Sequence, residues 1–289
     1  MEELRPGFFG NNFARHSAAL LTEDWEAAEA TLVPIGQLPF PFAKSAEAGF
    51  RSNLAIYRGR MQEALTHALA GVASWENAGT SRAQTHLNLA SAYIELEEPE
   101  KVLEHTRQAR LDAPGSNPDL VAHGFEVIAH QQLGQERRAD LTLEELVRRA
   151  EPIPGPLLDN FIGLLRGFLA HERGDVTTAV SHLEAAAEDL SHLDGAEART
   201  RYYLGEAYLA AGRPEDAREQ LEAVTQLAGT RIYSPVEFIH SFFLLGQAYE
   251  RLGSRDQAVR SYERFVGYWG DGDLKPDDVA HAKAFLAGP

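Results

Sequence analysis

The chain has 289 residues, 27 basic and 43 acidic side chains, a net charge of −16, no cysteine and a hydrophobic fraction of 44%. The missing cysteines exclude disulfides, iron–sulfur clusters and cysteine–zinc sites, and the acidic balance opposes binding to nucleic-acid phosphates or anionic lipid surfaces. No run of about 18 apolar residues suits a membrane span, and Met1-Glu2-Glu3 is acidic where a signal peptide is basic, so a cytoplasmic chain is expected.

Alanine, leucine and glutamate are abundant, as helical arrays require. In chain order one pattern returns: a turn, and about five residues later a small residue in the second helix of a hairpin. Those residues are Ala28, Ala64, Val102, Ala139, Ala179, Ala217 and Ala258, separated by 36, 38, 37, 40, 38 and 41 positions. The expected hairpins cover about 8–35, 45–78, 83–114, 120–151, 159–193, 198–229 and 236–269, within one domain of residues 1–289. In the first, helices are expected over Phe8–Thr22 and Trp25–Leu32, with Val33-Pro34-Ile35 as the stop and Gln37–Phe42 extended by its two prolines. The second turns at Arg58-Gly59-Arg60, and the third at Glu98-Pro99-Glu100, with proline in the first turn of its second helix. The fourth turns at Leu133-Gly134 and is followed by a stiff linker with Pro152, Pro154 and Pro156. The fifth turns at Gly174-Asp175, the sixth at Gly212-Arg213-Pro214 and the seventh at Gly253-Ser254. Gly270-Asp271-Gly272-Asp273 then breaks the pattern, and Pro276 opens a capping helix over 276–287.

The seventh hairpin sets Phe242, Leu245, Gly246 and Tyr249 as aromatic-x2-Leu-Gly-x2-Tyr, with Ala258-x3-Tyr262 following. The sixth repeats it as Leu204-Gly205-x2-Tyr208 and Ala217-x3-Leu221, and the third keeps Leu89-Ala90-x2-Tyr93. This pattern resembles the tetratricopeptide repeat (TPR) family, in which the Leu-Gly-Tyr face packs within the array and the glycine admits the second helix. The resemblance implies an all-α fold, a TPR-type α-solenoid of about seven hairpins in a right-handed superhelix, closed by the capping helix. The run Tyr262-Glu263-Arg264-Phe265, Trp269, the acidic break and the last helix also look like the C-terminal TPR tails of bacterial multidomain regulators. That likeness implies a sensing or scaffold part.

Little argues for chemistry. His123 and His130 lie seven apart, and His182 and His192 flank a helix end, so neither pair has the i, i+4 spacing of a zinc-protease helix. Gly270-Asp271-Gly272 has no following lysine, serine or threonine and is a turn, not a phosphate cradle. No enzyme activity, cofactor, metal, nucleic acid or membrane partner is expected.

The resemblance implies that first helices line a groove. Off the Leu-Gly-Tyr face, spacings of i, i+4, i+7 select Asn53, Ile128, Leu164, Phe168, Tyr202, Glu206, Phe243 and Gln247, with Phe161 and Arg199 one turn ahead. Aromatic rings among polar groups suit an extended peptide or helix anchored by its side chains. The competing reading is that the large apolar members pack against neighbouring repeats. A TPR subclass clamps the C-terminal carboxylate of chaperones, and Asn53 and Asn88 match its two asparagines. Gly49 stands where its first lysine is needed, and Val121 and Phe125 replace the later cations, so no clamp is expected. The expected function is a protein- or peptide-binding scaffold, with a basic partner favoured by charge. The alternative is a regulatory module that takes a small peptide or small molecule in an apolar pocket.

Overall fold

The computed structural model describes residues 9–40, 42–75, 79–153, 155–188 and 194–288. Met1 to Glu3, Phe8, Pro41, Pro154, His192 and the hairpin ends expected at 78 and 193 lie outside the described residues. All regular structure among these residues is helical, and it falls into two compact units, residues 1–122 and 123–289.

The first unit holds α1 (Phe9–Thr22), α2 (Trp25–Ala30), α3 (Leu32–Gly36), α4 (Ala43–Tyr57), α5 (Met61–Ala73), α6 (Thr80–Glu95), α7 (Pro99–Asp112) and the start of α8 (Asn117–Gln132). The second holds the rest of α8, then α9 (Glu136–Ala150), α10 (Pro156–Glu172), α11 (Val176–Ala187), α12 (Asp194–Ala210), α13 (Pro214–Gln226) and α14 (Ala228–Tyr233). It ends with α15 (Pro235–Arg251), α16 (Arg255–Trp269) and α17 (Pro276–Ala287).

One local event makes every hairpin. Between its two helices stands a single left-handed residue: Glu23, Gly59, Glu97, Gly134, Gly174, Gly212 and Gly253, with φ between 54° and 76°. The next residue donates its N–H to the carbonyl five positions earlier, at 2.8 to 3.0 Å in all seven turns, as in Gln135 to His130 and Ser254 to Tyr249. That bond ties off a carbonyl the helix end would otherwise strand. Five residues beyond each left-handed residue stands one of the seven small side chains from Ala28 to Ala258, and all seven are completely buried.

Seven residues before the turn, the last three hairpins place Gly167, Gly205 and Gly246. A Cβ on Gly246 would lie 2.4 Å from the ring of Tyr262, and one on Gly205 would lie 2.6 Å from Leu221. The space at Gly246 is therefore taken by the ring that follows Ala258 by four residues, not by Ala258 itself. Tyr262 is fully buried, and its hydroxyl donates to Glu250.

Three elements depart from expectation. The Gln37–Phe42 link is not extended at its ends: Gln37 and Phe42 both hold right-handed helical backbone. Val33-Pro34-Ile35 does not stop the first hairpin. The helix breaks at Thr31, whose hydroxyl turns back onto the Ala28 carbonyl at 2.6 Å, and α3 then runs through Pro34. Pro34 sits in the first turn of α3, where its missing N–H costs no intrahelical bond. The last departure is α14, an extra six-residue helix between α13 and α15, which buries Thr230 and lays Arg231 over the ring of Phe238.

Gly246→Leu and Gly205→Leu are expected to destabilise the fold by about 1–3 kcal/mol through overpacking, measured by urea unfolding. Glu97→Gly is expected to act oppositely. It relieves a non-glycine residue held at φ 54° and should add about 1 kcal/mol, whereas parent-like stability would mean that the turn carries no strain.

Candidate functional site

In the second unit α12 packs against both α10 and α15, so the first helices of the last three hairpins lie side by side. Polar side chains fix this layer. The Asn160 amide on α10 donates to the Ala186 carbonyl at 2.7 Å and to the Thr200 hydroxyl of α12 at 3.1 Å. Arg199 donates to Glu237 of α15 at 2.7 Å. The repeat tyrosines add a second set of ties between hairpins. Tyr208 donates to Glu184 of α11 at 2.7 Å, and Tyr249 donates to Glu222 of α13. Burial, with the carboxylate as the next cause, pushes both phenols up to about 12.

The stripe chosen from spacing divides on this layer. Phe161, Phe168, Arg199, Glu206 and Gln247 are partly accessible. Ile128, Leu164, Tyr202 and Phe243 are buried, at 6%, 4%, 7% and 3% exposure, so these four lie in the interior and not on a groove surface. The Phe243 ring is flanked by His240, Phe265 and His281, and the Tyr202 hydroxyl meets His240. Phe161 reaches from α10 onto α8, where its ring fills the space that a Cβ on Gly124 would need. In the first unit, Asn53 is half-buried and Asn88 is exposed, accepting a bond from Gln84 at 3.2 Å.

Spacing missed Tyr203, which is partly accessible and stands edge-on to Phe168 at 6.2 Å and to Tyr202 at 5.2 Å. The paired tyrosines at 202 and 203 were the available signal: one turns inward and the other joins the accessible rings.

It also missed a polar chain beneath that surface. Tyr202 donates to Glu206 at 2.9 Å, its oxygen lies 2.6 Å from His240 Nδ1, and His240 Nε2 lies 2.8 Å from Asp278 on α17. The imidazole is 5% exposed and stacks near Phe243 and Trp269. Burial raises the Glu206 carboxyl above its usual range, and His240 and the Tyr202 hydroxyl pull against that rise. No sequence spacing signals this chain, because His240 and Asp278 are 38 residues apart.

A second buried cluster stands in the first unit. His86 and His105 face each other Nδ1 to Nδ1 at 3.0 Å, and Tyr93 stacks on His105. Burial, and then His86, lower His105 to about 4. Among the described residues no group of three or more His, Asp or Glu side chains is arranged to hold a metal ion, and no helix is long and apolar enough to cross a membrane. A groove of about 580 Å3 beside α9 is lined by Leu143 and Val147 together with Asp140, Glu144, Arg148 and Arg166. It is a charged cleft, not an apolar pocket.

Residues 170–232 and 240–271 each match a tetratricopeptide repeat family profile. No curated protein matches the sequence. Among solved structures, NprR in complex with its cognate peptide NprX is 16% identical, covering 97% of this chain and 83% of that one, with a TM-score of 0.63. A Rap protein complexed with competence and sporulation factor is 12% identical over 99% of this chain and 87% of that one, with a TM-score of 0.58. A tetratricopeptide repeat protein from Parabacteroides merdae is 14% identical over 97% and 99%, with a TM-score of 0.53. At these identities the likeness speaks for the fold. With two repeat profiles matched, and the left-handed turn, crossing glycine and buried alanine recurring through them, residues 170–232 and 240–271 carry tetratricopeptide repeats, within a chain of all-α, solenoid-type fold.

Proposed function

We propose that residues 1–289 are a non-catalytic, protein- or peptide-binding adaptor of the cytoplasm, and that the partner docks on the layer of α10, α12 and α15. The observation that carries this reading is the pair of partly accessible rings, Phe168 and Tyr203, beside Arg199, Glu206 and Gln247. Rings that are rigid and partly wet give large contact area at small entropic cost, as binding hot spots do. Two neighbours of similar fold support it, since NprR and the Rap protein are each described in complex with a peptide or a signalling factor. The net charge of −16 favours a basic partner. The likeness of the C-terminal hairpin to bacterial regulator tails makes the sensing part of such a regulator the finer form of this proposal.

The test uses peptides selected from a random library against the parent chain. Phe168→Ala combined with Tyr203→Ala is expected to weaken them at least about 30-fold, the equivalent of about 2 kcal/mol, with the melting temperature little changed because both rings are partly accessible. Selected sequences should be rich in lysine and arginine and bind less tightly as salt rises. Equal affinity for the parent and the double variant would move the docking surface elsewhere.

A further inference from the structure

The chain Glu206–Tyr202–His240–Asp278 contains three hydrogen-bond contacts, at 2.9, 2.6 and 2.8 Å. Each contact between two electronegative atoms holds one hydrogen. A neutral tyrosine supplies one, a neutral imidazole supplies one, and two ionised carboxylates supply none. Whichever way the bonds are directed, two hydrogens cannot fill three contacts. If Tyr202 donates to Glu206, His240 gives its Nδ1 hydrogen to Tyr202 and faces Asp278 with a bare Nε2. If Tyr202 donates to His240, the imidazole serves Asp278, and two oxygen acceptors face each other at Glu206.

We propose that the folded protein holds one additional proton in this chain of four residues, and that this proton fastens α17 to α12 and α15. The two central groups are closed to water, Tyr202 at 7% and His240 at 5% exposed, while the carboxylates at the two ends are partly accessible, Asp278 with a 29% exposed side chain. An acceptor facing an acceptor would therefore leave the Tyr202 oxygen or a His240 nitrogen buried and unsatisfied. The charged and titratable groups around it give the proton a home. His171 of α10 and Lys275 before α17 act on Glu206 along with His240 and Tyr202, and burial outweighs them, keeping the carboxyl inclined to its protonated form. From α16 come Phe265 and Trp269, which are apolar and raise the cost of separated charge. On α13, Glu222 is already engaged by Tyr249 and Arg218. The neighbouring tie between α17 and the array offers a contrast. Tyr262 donates to Glu250, and His281 Nε2 lies 3.3 Å from both, but the His281 side chain is 49% exposed, so water can complete that tie with no additional proton.

The consequence is a dependence on pH with a definite sign. Below the ordinary imidazole value of 6.5 the unfolded chain carries the same number of protons on these groups, held by its free histidine, and the cluster contributes no slope. Above 6.5 the unfolded chain has released that proton and the folded chain keeps it. The stability the proton provides is therefore lost as pH rises, with the unfolding equilibrium constant increasing up to tenfold per pH unit until the folded cluster lets go.

Amide substitutions test this, because an amide N–H takes the place of the missing hydrogen. In Glu206→Gln the amide donates to Tyr202, Tyr202 to His240, and His240 to Asp278. In Asp278→Asn the chain is filled in the reverse direction. Urea unfolding of the parent and both variants from pH 6.5 to 9 is expected to show near-equal stability at the acid end. With rising pH the parent should lose up to tenfold more per unit than either variant. Parallel profiles for all three proteins would overturn the proposal. So would marked instability of both amide variants at every pH, since a chain needing no added proton would then have been broken by supplying one.

Discussion

Everything in this fold depends on reversing an α-helix within one residue. Seven times the chain places a residue at φ near +60°, and the following N–H closes onto the carbonyl five positions back. The reversal fixes where the second helix begins, and the second helix then delivers a small, wholly buried side chain to the contact five residues on. Five of the seven left-handed residues are glycine, for which the conformation carries no Cβ penalty. Glu23 and Glu97 hold the same geometry at a cost, which shows that the packing of the two helices selects the turn rather than the turn residue alone.

Hairpins made in this way still need to be joined, and polar groups do that with direction. Tyr208 and Tyr249 occupy the same repeat position, four before the turn, and each reaches a glutamate on the second helix of the preceding hairpin. At the end of the chain the joint changes character. Tyr262, Phe265 and Trp269 are all fully buried, under a terminal helix that contributes little apolar surface of its own beyond Val279, Ala282 and Phe285. The polar contacts from Asp278 and His281 make up for that thin apolar contact, and they confer orientation that packing alone leaves loose.

Much of this was legible in the residues. Turns at Gly59, Gly134, Gly174, Gly212 and Gly253 were readable because glycine announces a left-handed backbone, and the seven buried small side chains were readable because they keep a fixed distance from those turns. The turn at Glu97 is less visible, because glutamate carries no left-handed signal and the proline at 99 marks only the helix that follows. The accessible stripe was only partly readable. Periodicity shows which residues share a helix face but not what later folds over it: Phe243 is covered by Phe265 of α16 and His281 of α17, 22 and 38 residues away. Tyr202 is interior for the same reason, since its partner His240 belongs to the next hairpin. The helix α14 left no periodic trace because its six residues make fewer than two turns, too few for a spacing to repeat.

The constancy of the turn geometry also tells where this chain is free to change length. The left-handed residue of every hairpin turn stands five positions before its buried partner, yet successive hairpins are separated by anything from 36 to 41 residues. All of that variation must then lie outside the short stretch from turn to partner, in helix ends and in the connections that lead to the next hairpin, such as the one that accommodates α14. Insertions and deletions are tolerable there, because they alter a link without moving any helix crossing. Within those five residues a single insertion rotates the second helix by about 100° and turns its buried alanine to solvent. The array is thus a set of rigid clasps on an adjustable tether.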